Sequence, residues 1–236
     1  MQIKAVTFDV GGTLIEPWPS VGHVYAEVAA RHGTEWFSAE ELNARFKAAW
    51  RARQNFGHSR DEWAQLVEEV FRGAAPNPSG KDFFPELYDQ FARPEAWHIF
   101  EDVLPALDAL ASRGIKLAVI SNWDERLRGL LKSFELDRYF ETVAISCEVG
   151  FAKPSPAIFE RAALKLGLPA REILHVGDSW EMDVQGARAA GFQAVQIHRA
   201  AGNKPEDSIQ SLIELPEKIK SLNLAIRLDK TIPSLD

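Results

Sequence analysis

The chain has a single cysteine, Cys147, among 236 residues. One thiol excludes an internal disulfide and any metal site built on cysteines. Its plain expectation is a small buried apolar side chain. No run of lysine and arginine stands out, the formal net charge is −7 and the pI is about 5.5. Nucleic acid as a general partner calls for a basic patch, so it is not expected. No apolar stretch approaches the roughly 20 residues of a membrane-spanning helix, so no membrane partner is expected. Residues 1–4 lead straight into an apolar segment without a signal-peptide layout, and a cytoplasmic location is the expectation. Internal repeats and low-complexity segments are also missing.

What is present is an ordinary globular composition, 46% hydrophobic and 26% charged. Fourteen Phe and seven Trp supply ample material for a core and for an aromatic pocket. The length suits one large domain, or one domain carrying a smaller insert.

Residues 3–8 read as a short buried strand of branched and aromatic residues. It ends on a lone carboxylate, Asp9, followed at once by Gly11 and Gly12 one residue on. From about residue 18 to 92 no convincing strand appears. The prolines of Pro17-Trp18-Pro19 suggest a stiff connector. Val21, Val24, Tyr25 and Val28 fall at helical spacing, and Ser38 with Glu41 suggests a capping box. Trp63, Leu66, Val67 and Val70 mark a further helix, residues 76–80 a loop, and 83–91 a short helix. After about residue 94, strands alternate with helices. Strands are expected at 115–120, 142–146, 172–176 and 193–198. Helices are expected at 103–112, 125–134, 155–166, 183–190 and 205–212, and the final ten residues, 227–236, read as a frayed end. The alternation predicts an α/β fold: a Rossmann-like, doubly wound parallel sheet. The economical organisation is an α/β core at 1–16 and 93–236 with an all-helical cap inserted at 17–92.

In a parallel sheet the strand ends lie along one edge, where ligands gather. Asp9, Ser121 with Asn122, Lys153, and Asp178 with Asp183 all fall at such ends or in adjoining loops. Asp9, Asp178 and Asp183 are hard oxygen ligands with no His or Cys among them, which suits Mg²⁺ over zinc. Ser121 and Asn122 can donate to phosphate oxygens, and Lys153 supplies a compact positive charge. A carboxylate so placed can attack phosphorus and form an aspartyl-phosphate. Taken singly, each residue has a plainer reading: turn residue, helix cap or surface lysine. Taken together, in this order, they point to phosphoryl chemistry.

The four stretches Phe8-Asp9-Val10-Gly11-Gly12-Thr13-Leu14, Ser121, Lys153-Pro154 and Gly177-Asp178-Ser179 with Asp183 resemble the motifs of the haloacid dehalogenase superfamily. Residues 186–191 are similar to the family's continuation after its fourth motif. The resemblance covers the whole chain and includes a helical cap after the first motif. It implies that Asp9 is the nucleophile and a metal ligand. It implies that the Gly11 carbonyl, Asp178 and Asp183 complete the Mg²⁺ site. It places Gly12, Thr13, Ser121 and Asn122 around the phosphate, and gives Lys153 the role of orienting nucleophile and phosphate. The implied substrate is a small phosphorylated metabolite, with the protein acting as a monomer or homodimer.

One departure stands out. Phosphatases of this family usually carry a second Asp two residues after the nucleophile, which protonates the leaving group and then activates water. Here that position is Gly11. General acid–base help is worth about 10²–10⁴-fold. The expectation is slow turnover, restriction to good leaving groups, or a substitute such as Glu16 or His23. Two other readings stay open: a metal-free 2-haloacid dehalogenase, and a chain that binds a ligand or partner without turnover. Trp18, His23, Tyr25, Trp50 and Trp63 either line a specificity pocket or form the core of the insert, and those at regular helical spacing read as core.

Overall fold

The computed structural model describes residues 2–33, 37–53, 56–73, 80–200, 205 and 207–228. In chain order the elements begin with β1 (Ala5–Phe8), β2 (Ile15–Pro17), α1 (Val21–Arg31), α2 (Ala39–Arg51), α3 (Arg60–Val70) and α4 (Gly80–Gln90). There follow β3 (Trp97–Ile99), α5 (Val103–Ala111), β4 (Lys116–Ser121), α6 (Arg126–Ser133), β5 (Thr142–Ile145) and α7 (Ser146–Val149). The last are α8 (Pro156–Leu166), β6 (Ile173–Gly177), α9 (Gly186–Ala189), β7 (Gln193–Gln196) and α10 (Leu215–Leu228). The chain divides into two compact units. One comprises residues 1–14, 99–122 and 136–236, the other residues 15–98 and 123–135.

The first unit holds a five-stranded sheet in the order β5-β4-β1-β6-β7, parallel throughout. β1 lies in the centre and every one of its residues is buried, as a strand covered on both faces must be. Phe8 stands level with Val119 of β4 and Val176 of β6, so the three strands end within two residues of one another. The chain runs outward from β1 to β4 and β5, then returns to the other side of β1 for β6 and β7. Strand order therefore reverses at β1, and the carboxyl end of such a strand is where doubly wound sheets bind ligands. Ala118, Ile120, Ala144 and Ile173 pack against Ile158, Phe159, Ala162 and Leu166 of α8. Leu117 and Val119 alternate to the opposite face.

The second unit is mainly helical. Val24, Tyr25, Val28, Leu42, Leu66, Val67, Phe83 and Leu87 from α1 to α4 share one core. Ser20, Ser38 and Ser59 each cap the helix that follows, and Ser59 with Glu62 makes a full capping box. Helix α6 also falls in this unit. There Asp124 and Arg126 form a buried ion pair at 2.6 Å, and the guanidinium lies 3.6 Å from the Tyr88 ring centre. Trp63 Nε1 donates to Asp124 Oδ2 at 2.9 Å. Tyr25 is core, whereas Trp18 is half exposed and Trp50 partly so, stacking on Trp63 at 5.7 Å. β2 and β3 pair as a two-stranded ribbon. Three-residue strands are too short to show a period, so the sequence offered no sign of them.

Several expectations change. The described residues of the stretch expected to be helical at 205–212 form a turn, with Ser208 N–H donating to Pro205 O at 3.1 Å, and then an isolated β-bridge. Ile209 bridges to Ile197, its N–H donating to Gln196 O at 2.9 Å, and the helix comes later, as α10. The sheet edge captures this segment before a helix can start at Pro205. The helix expected at 183–190 begins as a wide π turn at Trp180–Gln185, with Val184 N–H reaching back to Ser179 O at 3.3 Å. Cys147 is solvent-exposed instead of buried, because β5 stops at Ile145 and Ser146–Val149 forms a helical turn at the surface. Residues 76–79 of the expected loop and 229–236 of the expected frayed end lie outside the described residues. Among the described residues no helix is long and apolar enough to cross a membrane.

Candidate active site

Asp9 extends the ladder by one residue, its N–H donating to Val176 O at 2.9 Å, so its side chain stands at the tip of the central strand. It is only 7% exposed. The loop beyond it folds over Val10, whose carbonyl accepts from Thr13 N–H at 3.2 Å and Leu14 N–H at 2.8 Å. That tight wrap gives Gly12 a φ of +75°, and a Cβ there would sit 2.6 Å from Asp178 Oδ2. Backbone conformation and close approach each call for glycine.

Lys153 is the hub. Its Nζ donates to Asp9 Oδ1 at 2.6 Å and to Asp183 Oδ1 at 2.5 Å. Ser121 Oγ, at the end of β4, donates to the same Asp9 oxygen at 3.0 Å. Two side-chain donors on one oxygen fix the rotation of the Asp9 carboxylate and make its two oxygens unequal. Asn122 holds the lysine from behind. Its Nδ2 donates to Lys153 O at 2.9 Å, and its Oδ1 accepts from Lys153 N–H at 2.7 Å. One amide hydrogen of Asn122 is left for another acceptor.

Asp183 comes from the π turn. The turn folds its carboxylate back so that Oδ2 accepts from Ser179 N–H at 2.9 Å. A Cβ on Gly177 would overlap this carboxylate, which is why the strand ends on glycine. Behind Asp183 lies fully buried His175, its Nε2 3.1 Å from Asp183 Oδ1 and its Nδ1 2.8 Å from Thr7 Oγ1. Burial holds the His175 imidazole below its ordinary pKa, so it is neutral. A neutral ring beside a carboxylate must carry its proton on Nε2, and Thr7 then donates to Nδ1.

The electrostatics follow from three carboxylates facing one ammonium. Burial, and then the Asp183 charge, push Asp9 upward against the pull of Lys153. Asp178 is open to water on one side, yet loss of solvent and the charges of Asp9 and Asp183 raise it to about 7. Asp183 goes the other way: burial opposes ionisation, but Lys153 and His175 overcome it and hold the carboxylate below its usual range. Burial likewise disfavours the Lys153 charge, and Asp183 and Asp9 more than restore it. With all three carboxylates ionised and His175 neutral, the cluster carries −3 + 1 = −2. One oxygen from each of Asp9, Asp178 and Asp183 lies within 4.8 Å of the others. An oxygen-only donor set with a deficit of two charges fits a hard divalent cation.

The tertiary structure thus brings together Asp9, Ser121, Lys153, Asp178 and Asp183, with Gly12 packed against Asp178. Asn122 is engaged with Lys153. Thr13 is fully buried, and its hydroxyl has no hydrogen-bond partner among the described residues. His175 and Thr7 belong to none of the sequence motifs. They stand level in adjacent strands, and a histidine inside a run of buried apolar residues was the available signal.

The central strand of a doubly wound parallel sheet carries the Asp9 carboxylate at the point where strand order reverses, the ligand-binding edge of a Rossmann-like core. The chain belongs to the haloacid dehalogenase-like hydrolase family, whose model matches residues 3–191. It is 31% identical over 237 residues to haloacid dehalogenase-like hydrolase domain-containing protein 3 of Danio rerio, covering 93% of this chain and 98% of the relative. It is 31% identical over 231 residues to a phosphoserine phosphatase of Thermus thermophilus, covering 87% and 92%. Among solved structures it resembles a phosphatase of the same family from Thermococcus onnurineus, with a TM-score of 0.67 and 27% identity over 92% of this chain and 98% of that one.

Proposed function

We propose that the protein is a Mg²⁺-dependent phosphohydrolase that forms an aspartyl-phosphate on Asp9 and acts on a small phosphorylated metabolite. The observation that carries this reading is Lys153 shared between Asp9 and Asp183, with Asp178 completing a set of three carboxylates whose oxygens lie within 4.8 Å of one another. Phosphatases among its relatives support the same reaction class.

Asp9, Asp178 and Asp183, with the Gly11 carbonyl, would hold the cation, which when bound offsets the charge of the carboxylates and of the phosphate. The chain's own residues do the rest. Lys153 and Ser121 hold the Asp9 carboxylate in one rotation, ready to attack phosphorus. Lys153 also faces the negative charge spreading over the transferring group. Asp183, backed by neutral His175, keeps the ammonium in place. Gly11 supplies no acid, so the leaving group must depart largely unaided. That favours substrates with stable leaving groups, such as aryl or acyl phosphates, over alkyl esters.

The test is hydrolysis of an aryl phosphate and a sugar phosphate, with Mg²⁺ and with a chelator. The expected result is turnover of the aryl ester that the chelator and Asp9→Asn both abolish. Chelator-insensitive halide release from a 2-haloacid would replace this reading with dehalogenation. Gly11 favours one further reading, binding without turnover. Capture of a beryllium fluoride phosphate mimic, together with steady turnover that Asp9→Asn removes, would sink it.

A further inference from the structure

We propose that Arg199 is a positioning residue that holds the loop of residues 11–14, and through it the phosphate end of the site; its kinetic consequence rests on the function proposed above. Arg199 stands just beyond β7, and its head group uses four of its five N–H bonds on two targets. Nε and Nη2 donate to the Thr13 carbonyl at 3.2 and 2.5 Å. Nη1 and Nη2 donate to the Asp102 carboxylate at 3.2 and 3.0 Å. The guanidinium also lies 3.7 Å from the centre of the Phe100 ring, a cation–π contact. Asp102 is itself fixed, accepting from Ser211 Oγ at 2.7 Å and Leu212 N–H at 2.8 Å.

The loop is therefore gripped from two sides. Inside, the Val10 carbonyl takes the Thr13 and Leu14 amides. Outside, Arg199 takes the Thr13 carbonyl, and Phe100 N–H takes the Leu14 carbonyl at 3.1 Å. This loop carries the Gly11 carbonyl, Gly12 pressed against Asp178, and the buried Thr13 hydroxyl. Among the described residues, Arg199 is the side chain from outside the loop that hydrogen-bonds to its backbone. A lysine could reach either target with one ammonium but could not fork between them.

The experiment compares the wild type with Arg199→Ala, Arg199→Lys, Asp102→Asn and the Arg199→Ala/Asp102→Asn double variant. Amide hydrogen exchange reads the loop without reference to activity. In Arg199→Ala, exchange at Thr13 and Leu14 should accelerate by about 10–100-fold, the range that loss of a charge-assisted hydrogen bond allows. Val119 and Val176, in the central strands, should keep wild-type rates. With an aryl phosphate and Mg²⁺, kcat should fall by about 10–100-fold while KM moves by less than about threefold. Arg199→Lys should recover only a small part of this. The double variant should be little worse than Arg199→Ala, because both residues act through one contact. Unchanged exchange at Thr13 and Leu14, acceleration that includes Val119 and Val176 equally, or wild-type kcat in Arg199→Ala would each overturn the proposal. A wild type that hydrolyses nothing would overturn the proposed function instead, and the exchange measurement would still decide the clamp.

Discussion

Asn122 grips the backbone of Lys153 with both ends of its amide, donating to the carbonyl at 2.9 Å and accepting from the N–H at 2.7 Å. The residue after Ser121 thus sets where the lysine stands, and the lysine sets where Asp9 and Asp183 stand. Asn122→Ala should lower kcat/KM by about 10–100-fold through misplacement alone. The two lost hydrogen bonds should reduce stability by about 1–3 kcal/mol. Steady-state kinetics and urea unfolding check both. A large stability loss with intact kcat/KM would show that the grip serves the fold only.

Asp178 gives the metal-free protein a distinctive pH response. Its folded-state pKa is raised from 3.8 to about 7. The folded protein then keeps a proton that the unfolded chain has released. The stabilisation is complete below 3.8 and is lost as pH climbs through about 7. Asp183, lowered, has the opposite sign and loses its contribution in acid. His175, also lowered, destabilises the fold as pH falls below its ordinary value of 6.5. Comparison with Asp178→Asn isolates the first effect. The Tm of wild type minus that of the variant should decrease between pH 4 and pH 7 in chelator, and saturating Mg²⁺ should remove the decrease. Asp178 is open to solvent on one side, so the sign is the readout. A difference that grows with pH would contradict it.

Gly12→Ala introduces a side chain at φ +75°, with its Cβ 2.6 Å from Asp178 Oδ2. The left-handed backbone should cost about 1–2 kcal/mol. Displacing the Asp178 carboxylate should weaken Mg²⁺ binding by about 10–100-fold, the range typical when support of a ligand is lost. Calorimetric titration of Mg²⁺ and chemical unfolding measure the two separately. Unaltered Mg²⁺ affinity would remove Asp178 from the cation site.

Gly11→Asp places a carboxyl group two residues after Asp9, the proposed nucleophile. Turnover of a sugar phosphate should rise by up to about 10²–10⁴-fold, with a smaller gain for an aryl phosphate whose leaving group needs no proton. Parallel assays of the two substrates provide the check. An unchanged alkyl-phosphate rate would mean that the missing acid is not what limits the enzyme.

Much of the fold is legible from local spacing. The sheet strands and most helices fall within a few residues of where apolar periodicity and capping residues put them. The failures are instructive. Residues 205–212 have helical character of their own, but the open edge beside Ile197 offers backbone hydrogen bonds that hold Ile209 extended. Cys147 is apolar enough to be buried, yet it follows the last residue of β5 and turns outward. The three-residue ribbon strands carry no period at all.

For the site, the sequence by itself determined the chemistry available: carboxylates, a lysine and a hydroxyl at strand ends, oxygen ligands without His or Cys, and a glycine where an acid was expected. Those are properties of residue type and of position within one element. Only the tertiary structure decided how they divide the work. Lys153 reaches Asp9 across 144 residues and Asp183 across 30, and Thr7 meets His175 across 168 because the β1–β6 register sets them level. Partnerships of this kind depend on strand register and side-chain reach. Neither is encoded in the local pattern that makes a strand or a helix.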